Sequence, residues 1–347
     1  MEEEQEPRLS QRQELILARV VEEYVSTGSP VGSKTLVERA GLGVSSSTVR
    51  YELAVLEEHG LLTHPHTSAG RVPTDTGYRL FVDRLLDRLE VRPGELELDL
   101  SGVESQVDSA LRATTEALAD LTHLLALVSA PPLDTTIVRH VEVLLLQPHV
   151  VMVVVITSTG GVTKRLLTFQ HPVDVGLADW AGQYLNETVA GLRLGARLLR
   201  SRFEDAALSD QERSFLDRLR PAFTEVLGAE EPTLYVGGTA GVLDEFRADE
   251  LRTYRRLLEV LEQRAAVLDL LRASLGSKRP FVRVGPDLDD PDLVGVSLVG
   301  APYGLQHLNL GTVSLLGPTR MDYEKAIAAV RYAAHELSRF VEELYEN

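Results

Sequence analysis

The chain has 347 residues, enough for two or three domains with separate cores, and its 44% hydrophobic and 25% charged content is that of an ordinary globular protein. It contains no cysteine, which excludes a disulfide framework and a thiolate metal site and fits a cytoplasmic protein. A net charge of −17 argues against a simple electrostatic nucleic-acid binder, yet residues 28–80 hold five acids and five bases, so the acidic excess lies elsewhere.

No basic start followed by an apolar run occurs in residues 1–30, so no signal peptide is expected. Leu9 to Thr27 is predicted helical, with Ser10 as N-cap and Gly28-Ser29-Pro30 as the stop. Ser33 is expected to cap a second short helix to Ala40, ended by Gly41. After a turn at Leu42 to Val44, Ser45 or Ser46 caps a third helix that buries Val49, Leu53 and Leu56 and ends at Gly60. Leu61 to Pro65 and Arg71 to Thr74 read as short strands around a turn in which Gly70 supplies a positive φ. Three helices and a hairpin predict a winged helix-turn-helix. Gly77 to Leu89 is a linking helix, ended by Pro93-Gly94.

From Val107 a stripe of alternating four and three steps runs through Leu111, Thr114, Leu118, Leu121, Leu125 and Val128. It predicts an amphipathic helix covering a sheet, in preference to a coiled coil. Strands are expected at Thr136 to Leu146, Val150 to Thr157 and Val162 to Phe169, joined by short turns and therefore antiparallel. The apolar run Val150 to Ile156 is far too short to span a bilayer. Val173 to Leu192 reads as helix. Further strand signals come near Phe281, Val294 and Val313, and a long helix, Met321 to Leu344, closes the chain. Six strands flanked by helices predict one antiparallel α+β domain, interrupted by a mostly helical stretch at 192–275 whose stripe is Leu251, Tyr254, Leu258, Leu261, Ala265 and Leu268.

Residues 44–72 carry the functional signal. The third helix opens with Ser45, Ser46, Ser47 and Thr48, followed by Arg50 and Tyr51. Side chains at the start of such a helix reach the major groove of DNA. Ser46 and Ser47 suit phosphates, and Arg50 can grip guanine through two hydrogen bonds, its alternative being an ion pair with Glu52 or Glu57. Tyr51 either faces DNA or packs internally. At the hairpin, His64, His66, Thr67, Ser68 and Arg71 present donors, with Arg71 suited to the minor groove or a phosphate. Lys34 and Thr35 are placed to touch backbone phosphate. His64 and His66 are two ligands without a third, too few for a metal, and no cofactor is expected.

Enzyme signals are poor. Gly295-Val296-Ser297-Leu298-Val299 misses the nucleophile-elbow pattern at its last position, and Gly237-Gly238-Thr239-Ala240-Gly241 lacks the lysine of a phosphate loop. The acidic run Asp287 to Asp292 lacks the calcium-hand signature.

Four stretches carry a family resemblance: Tyr24-Val25-Ser26-Thr27-Gly28-Ser29-Pro30-Val31-Gly32-Ser33, Pro65-His66-Thr67-Ser68-Ala69-Gly70-Arg71-Val72-Pro73-Thr74-Asp75, Tyr235-Val236-Gly237-Gly238-Thr239 and Gly317-Pro318-Thr319-Arg320-Met321-Asp322-Tyr323. Over nearly its whole length the chain resembles the heat-inducible transcription repressor HrcA family. The resemblance implies a winged-helix domain with its linking helix (1–90), a GAF-like domain in two parts (105–191 and 276–347) and a dimerising domain inserted between them (192–275). It implies a homodimer that represses chaperone operons through an inverted-repeat operator, the CIRCE element, is released on heat stress and is modulated by the GroEL chaperonin. The sequence departs from the family pattern at Tyr51, where Asn is expected, and at Thr76, where Lys is common. The alternative is a metabolite-sensing regulator, since GAF-like domains often hold a small-molecule pocket.

Overall fold

The computed structural model describes residues 9–40, 43–65, 70–88, 100, 107–131, 137–157, 162–193, 201–205, 207–223, 234–247, 250–262, 279–305 and 308–346. Helix α1 (Gln11–Thr27) opens with a reciprocal capping box between Ser10 and Gln13 and closes at Gly28, whose φ is 65°. Its stripe Ile16, Leu17, Val20 and Val21 is buried. Helix α2 (Ser33–Ala40) starts one residue earlier than expected. The Gly32 carbonyl accepts from the Leu36 N–H at 3.2 Å, while the Ser33 hydroxyl meets that of Ser46 at 3.1 Å. Gly41 and Leu42 lie outside the described residues.

Helix α3 (Ser46–Glu58) is capped by Ser45, whose hydroxyl accepts from the Thr48 N–H, and it buries Val49, Leu53 and Leu56. Gly60, at φ 71°, turns the chain into β1 (Leu62–Thr63), which pairs antiparallel with β2 (Val72–Pro73). An isolated bridge between Val31 and Arg71 adds the segment before α2 to this small sheet. Gly70 does not adopt the expected positive φ. It is needed for close approach, because a Cβ there would lie 2.5 Å from the Val31 carbonyl carbon. Thr74 then caps α4 (Asp75–Arg88): its hydroxyl accepts from the Gly77 N–H at 3.1 Å and donates to the Gly60 carbonyl at 2.7 Å. Pro93-Gly94 lies outside the described residues.

The amphipathic helix is α5 (Val107–Thr122), and it packs against a sheet and a helix partner. It ends sooner than its stripe. His123 takes a left-handed φ of 57°, and Leu125–Ser129 forms strand β3 rather than more helix. All of β3 is buried, so it shows no alternation to separate it from the helical pattern.

The next three strands fall where expected: β4 (Val138–Gln147), β5 (Val150–Thr157) and β6 (Val162–Thr168), antiparallel in that order. They are followed by α6 (Val175–Val189) and α7 (Asp210–Leu219). Strand β7 (Leu234–Gly237) leads to the short α8 (Val242–Glu245) and then α9 (Leu251–Glu262). The buried face of α9 centres on Leu257 and Val260, whereas Leu251 is exposed. Ala265 and Leu268 lie outside the described residues. Strands β8 (Phe281–Val284), β9 (Val296–Leu305) and β10 (Leu308–Pro318) precede the closing helix α10 (Tyr323–Glu346).

The strands expected in one α+β domain divide between two sheets. Strands β4, β5 and β6 form a sheet of their own, with a core that includes Val141, Val153, Ala181, Leu185, Phe215 and Phe223. The larger sheet has the order β7-β3-β10-β9-β8. Its strands come from both sides of the β4–β6 segment, and β7 lies within the stretch expected to be a helical interruption. Both of its faces are filled. Ala126, Val128, Val299, Val313 and Leu315 pack in the core shared with α5 and α10, and Leu125, Leu127, Leu298 and Leu316 in the core shared with α9.

The N-terminal module docks on this sheet through α4. Tyr78 packs against Tyr323 with ring centroids 5.9 Å apart. Arg79 makes an ion pair with Asp287, and Arg331 donates to the Leu86 carbonyl at 2.9 Å. Arg247 lies over the Tyr24 ring at 5.4 Å, and a Cβ at Gly28 would meet its guanidinium. Two of the motif stretches thus meet at one joint. In the second, Arg320 pairs with Glu250 at 3.0 Å, Asp322 caps α10, and the Tyr323 hydroxyl donates to the Thr319 carbonyl.

Candidate nucleic-acid interface

The exposed surface of α3 and the base of the β1–β2 hairpin lie side by side. At the helix start, Ser45 spends its hydroxyl on the cap and also meets Ser47 at 2.7 Å and Thr48 at 2.9 Å. Ser46 is half-buried through its contact with Ser33, while Ser47 is exposed. The positive end of the helix dipole and its unpaired N–H groups favour an anion here.

Arg50 is exposed and, among the described residues, makes no ion pair. The two carboxylates that could have held it are engaged elsewhere. Glu52 is buried and lies 3.6 Å from Arg12 while accepting from Gln13 at 3.1 Å. Glu57 pairs with the hairpin. Tyr51 is 68% exposed, which removes the internal-packing alternative. Arg50 and Tyr51 thus face solvent opposite the buried Val49 and Leu53.

Lys34 is exposed and Thr35 half-buried in the first turn of α2, and the Ser33–Ser46 contact ties that helix start to the start of α3. His66, Thr67 and Ser68 lie outside the described residues. At the hairpin base, Glu57 Oε1 contacts His64 Nδ1, and Glu57 Oε2 contacts the Arg71 guanidinium at 2.7 Å. Desolvation pushes the Glu57 pKa up, but the hydrogen bond from His64 and the Arg71 charge outweigh it and hold it below the usual carboxylate value. Sequence reasoning treated Glu57 only as a possible partner for Arg50. Its place at the last turn of a helix that runs straight into the hairpin was the available signal.

The residues weighed for enzyme chemistry have structural work. Ser297 is buried, and its hydroxyl meets the Tyr323 hydroxyl at 2.7 Å. Gly238 takes a left-handed φ of 84° and sits against the Leu124 carbonyl. Asp287 accepts from the Val284 N–H at 3.1 Å besides pairing with Arg79. No helix among the described residues is long and apolar enough to cross a membrane.

Comparison with known proteins places the chain in a family. Residues 108–327 match the family model of the HrcA protein C-terminal domain. The heat-inducible transcription repressor HrcA of Frankia casuarinae is 38% identical over 336 residues, covering 94% of this chain and 97% of that protein. Its counterpart in Nocardia farcinica is 38% identical over 332 residues, covering 94% and 96%. A solved structure described as a hypothetical protein aligns with a TM-score of 0.65 at 22% identity, over 97% of this chain and 100% of that one.

Proposed function

The chain belongs to the HrcA family of heat-inducible transcription repressors, and from that premise we propose that it represses heat-shock genes as a homodimer, each copy reading half of an inverted repeat with its α3–hairpin surface. The observation that carries this reading is the start of α3: a capped helix N-terminus with Ser47, Arg50 and Tyr51 exposed and Arg50 unpaired among the described residues. In a winged helix-turn-helix, α2 and α3 are the two helices of the motif and β1–β2 is the wing. Ser46 and Ser47 hold phosphate, Arg50 and Tyr51 reach base edges, Lys34 and Thr35 take the neighbouring phosphates, and His64, His66, Thr67, Ser68 and Arg71 belong to the wing. The family reading adds the CIRCE element as operator, release on heating and the GroEL chaperonin as modulator.

An inverted repeat calls for a two-fold partner, and the three-stranded sheet supports one. Its core face is covered by α6. Its other face carries Leu144, Met152 and Leu166 in one cross-strand row and His140, Ile156 and Val162 in another, with His140 meeting Glu142 at 2.7 Å. Leu166 is 65% exposed and Val162 53%. The middle row is Glu142, Val154 and Lys164. Stacking two copies about an axis along β5 sets Glu142 of each against Lys164 of the other and closes the apolar row of Leu144, Met152 and Leu166, a self-complementary arrangement. We accordingly move the inserted dimerising domain from 192–275 to about 137–223 and assign the five-stranded sheet with α5, α9 and α10 to the GAF-like domain. The sheet order and the separate cores support these boundaries.

Operator binding tests the reading by gel shift at fixed salt. Arg50→Ala is expected to cost ~1–3 kcal/mol and to relax discrimination at one base pair. Unchanged affinity and specificity in that variant would contradict the assignment.

A further inference from the structure

A single carboxylate at the end of α3 holds both legs of the hairpin. Thr63 pairs with Val72, so His64 and Arg71 are the next opposed positions toward the tip. Glu57 gives one oxygen to each of them. Arg71 is fixed on its other side by its backbone, which exchanges two hydrogen bonds of 2.8 Å with Val31. The Arg71 side chain is only 24% exposed. Its position is therefore set by α3, by the bridge to Val31 and by the hairpin at once.

This geometry bears on what Arg71 does. A guanidinium already paired with a carboxylate presents little net charge to a phosphate, and an approaching phosphate is repelled by the same carboxylate. Arg50, on the open face of α3 and without an ion pair among the described residues, has no such compensation. Yet a hairpin that must follow the DNA surface gains from being fixed before it binds, because ordering it afterwards would subtract from affinity.

We propose that Glu57 is a positioning residue for operator binding: it clamps the wing to the recognition helix through His64 and Arg71, and Arg71 acts through this clamp and not as a phosphate ligand. The proposal rests on the DNA-binding reading above and refines it. The reader of sequence is α3, and the clamp sets the angle of the hairpin base beside it. Glu57 touches no DNA in this account, so its removal leaves the number of phosphate contacts unchanged.

The test is a double-mutant cycle on the full-length protein, with operator affinity measured over a range of salt for wild type, Glu57→Gln, Arg71→Ala and the double variant. Glu57→Gln keeps the shape and removes the charge. It is expected to weaken operator binding about tenfold, with Arg71→Ala similar, the double variant no worse than Arg71→Ala alone, and all four salt slopes alike. A fall of about 0.9 in the slope on Arg71→Ala would make Arg71 a direct phosphate ligand and overturn the proposal. So would wild-type or tighter binding by Glu57→Gln. Backbone hydrogen exchange without DNA provides an independent arm: Glu57→Gln is expected to speed exchange at residues 62–64 and 71–73 while leaving α1 unchanged, and unchanged exchange there would also overturn the clamp. If wild type itself fails to bind operator, the DNA-binding reading falls, while the exchange arm still decides whether the clamp exists.

Discussion

The two larger sheets of this chain solve the same problem in different ways. The five-stranded sheet is buried on both faces, with β3 and most of β9 and β10 inaccessible to solvent, and its strands read as nearly continuous apolar runs. The three-stranded sheet alternates strictly along β5, buried and half-buried, because among the described residues helices cover only one of its faces. Its other face is nonetheless apolar at Met152, Val154, Ile156, Val162 and Leu166. One sheet has completed its core within the chain. The other carries an apolar face with no second layer among the described residues, which is why we assign it to self-association.

That contrast predicts unequal responses to mutation. Leu127→Ala, in the centre of the closed sheet, is expected to destabilise the protein by about 2–5 kcal/mol, whereas Val154→Ala on the open face of the other sheet should cost less than about 1 kcal/mol in the isolated protomer. Denaturant midpoints at protein concentrations low enough to separate protomers would show this, and equal losses would break the comparison.

A smaller effect is expected where the N-terminal module meets the closed sheet. Burial raises the Asp75 pKa, Arg79 opposes the shift and Asp287 adds to it, with a net rise. A folded-state pKa above the unfolded value of about 3.9 means that the folded state binds the proton more tightly. The contribution of Asp75 is therefore most favourable below that value and is lost as pH rises through the raised one. Asp75→Asn should flatten the pH dependence of the melting temperature across that window, and an unchanged profile would contradict the attribution.

Much of this organisation was legible in the sequence because it is local. Ser45 as the cap of α3, Gly28 at the end of α1 and the two hairpins of the three-stranded sheet all follow from residue types at short range. Sheet membership was not legible. β3 continues the helical stripe of α5 and pairs with β10 and β7, both distant in sequence, so nothing near Leu125 announces its partners. In the candidate interface the opening of α3 was readable, whereas Glu57 was not, because its partners His64 and Arg71 come together only when the hairpin folds back on the helix. The motif Gly317 to Tyr323 was recognisable as a string, but its physical role as part of the joint with Tyr78 emerges only from packing.

The open face gives the most direct test of the account. Sedimentation velocity of wild type and Leu166→Asp, with the charge exchange Glu142→Lys and Lys164→Glu as a control, reads the state of association. The expected result is a wild-type dimer, a folded monomer for Leu166→Asp, and a dimer restored in the double exchange relative to Glu142→Lys alone. A Leu166→Asp protein that sediments as a dimer indistinguishable from wild type would contradict it.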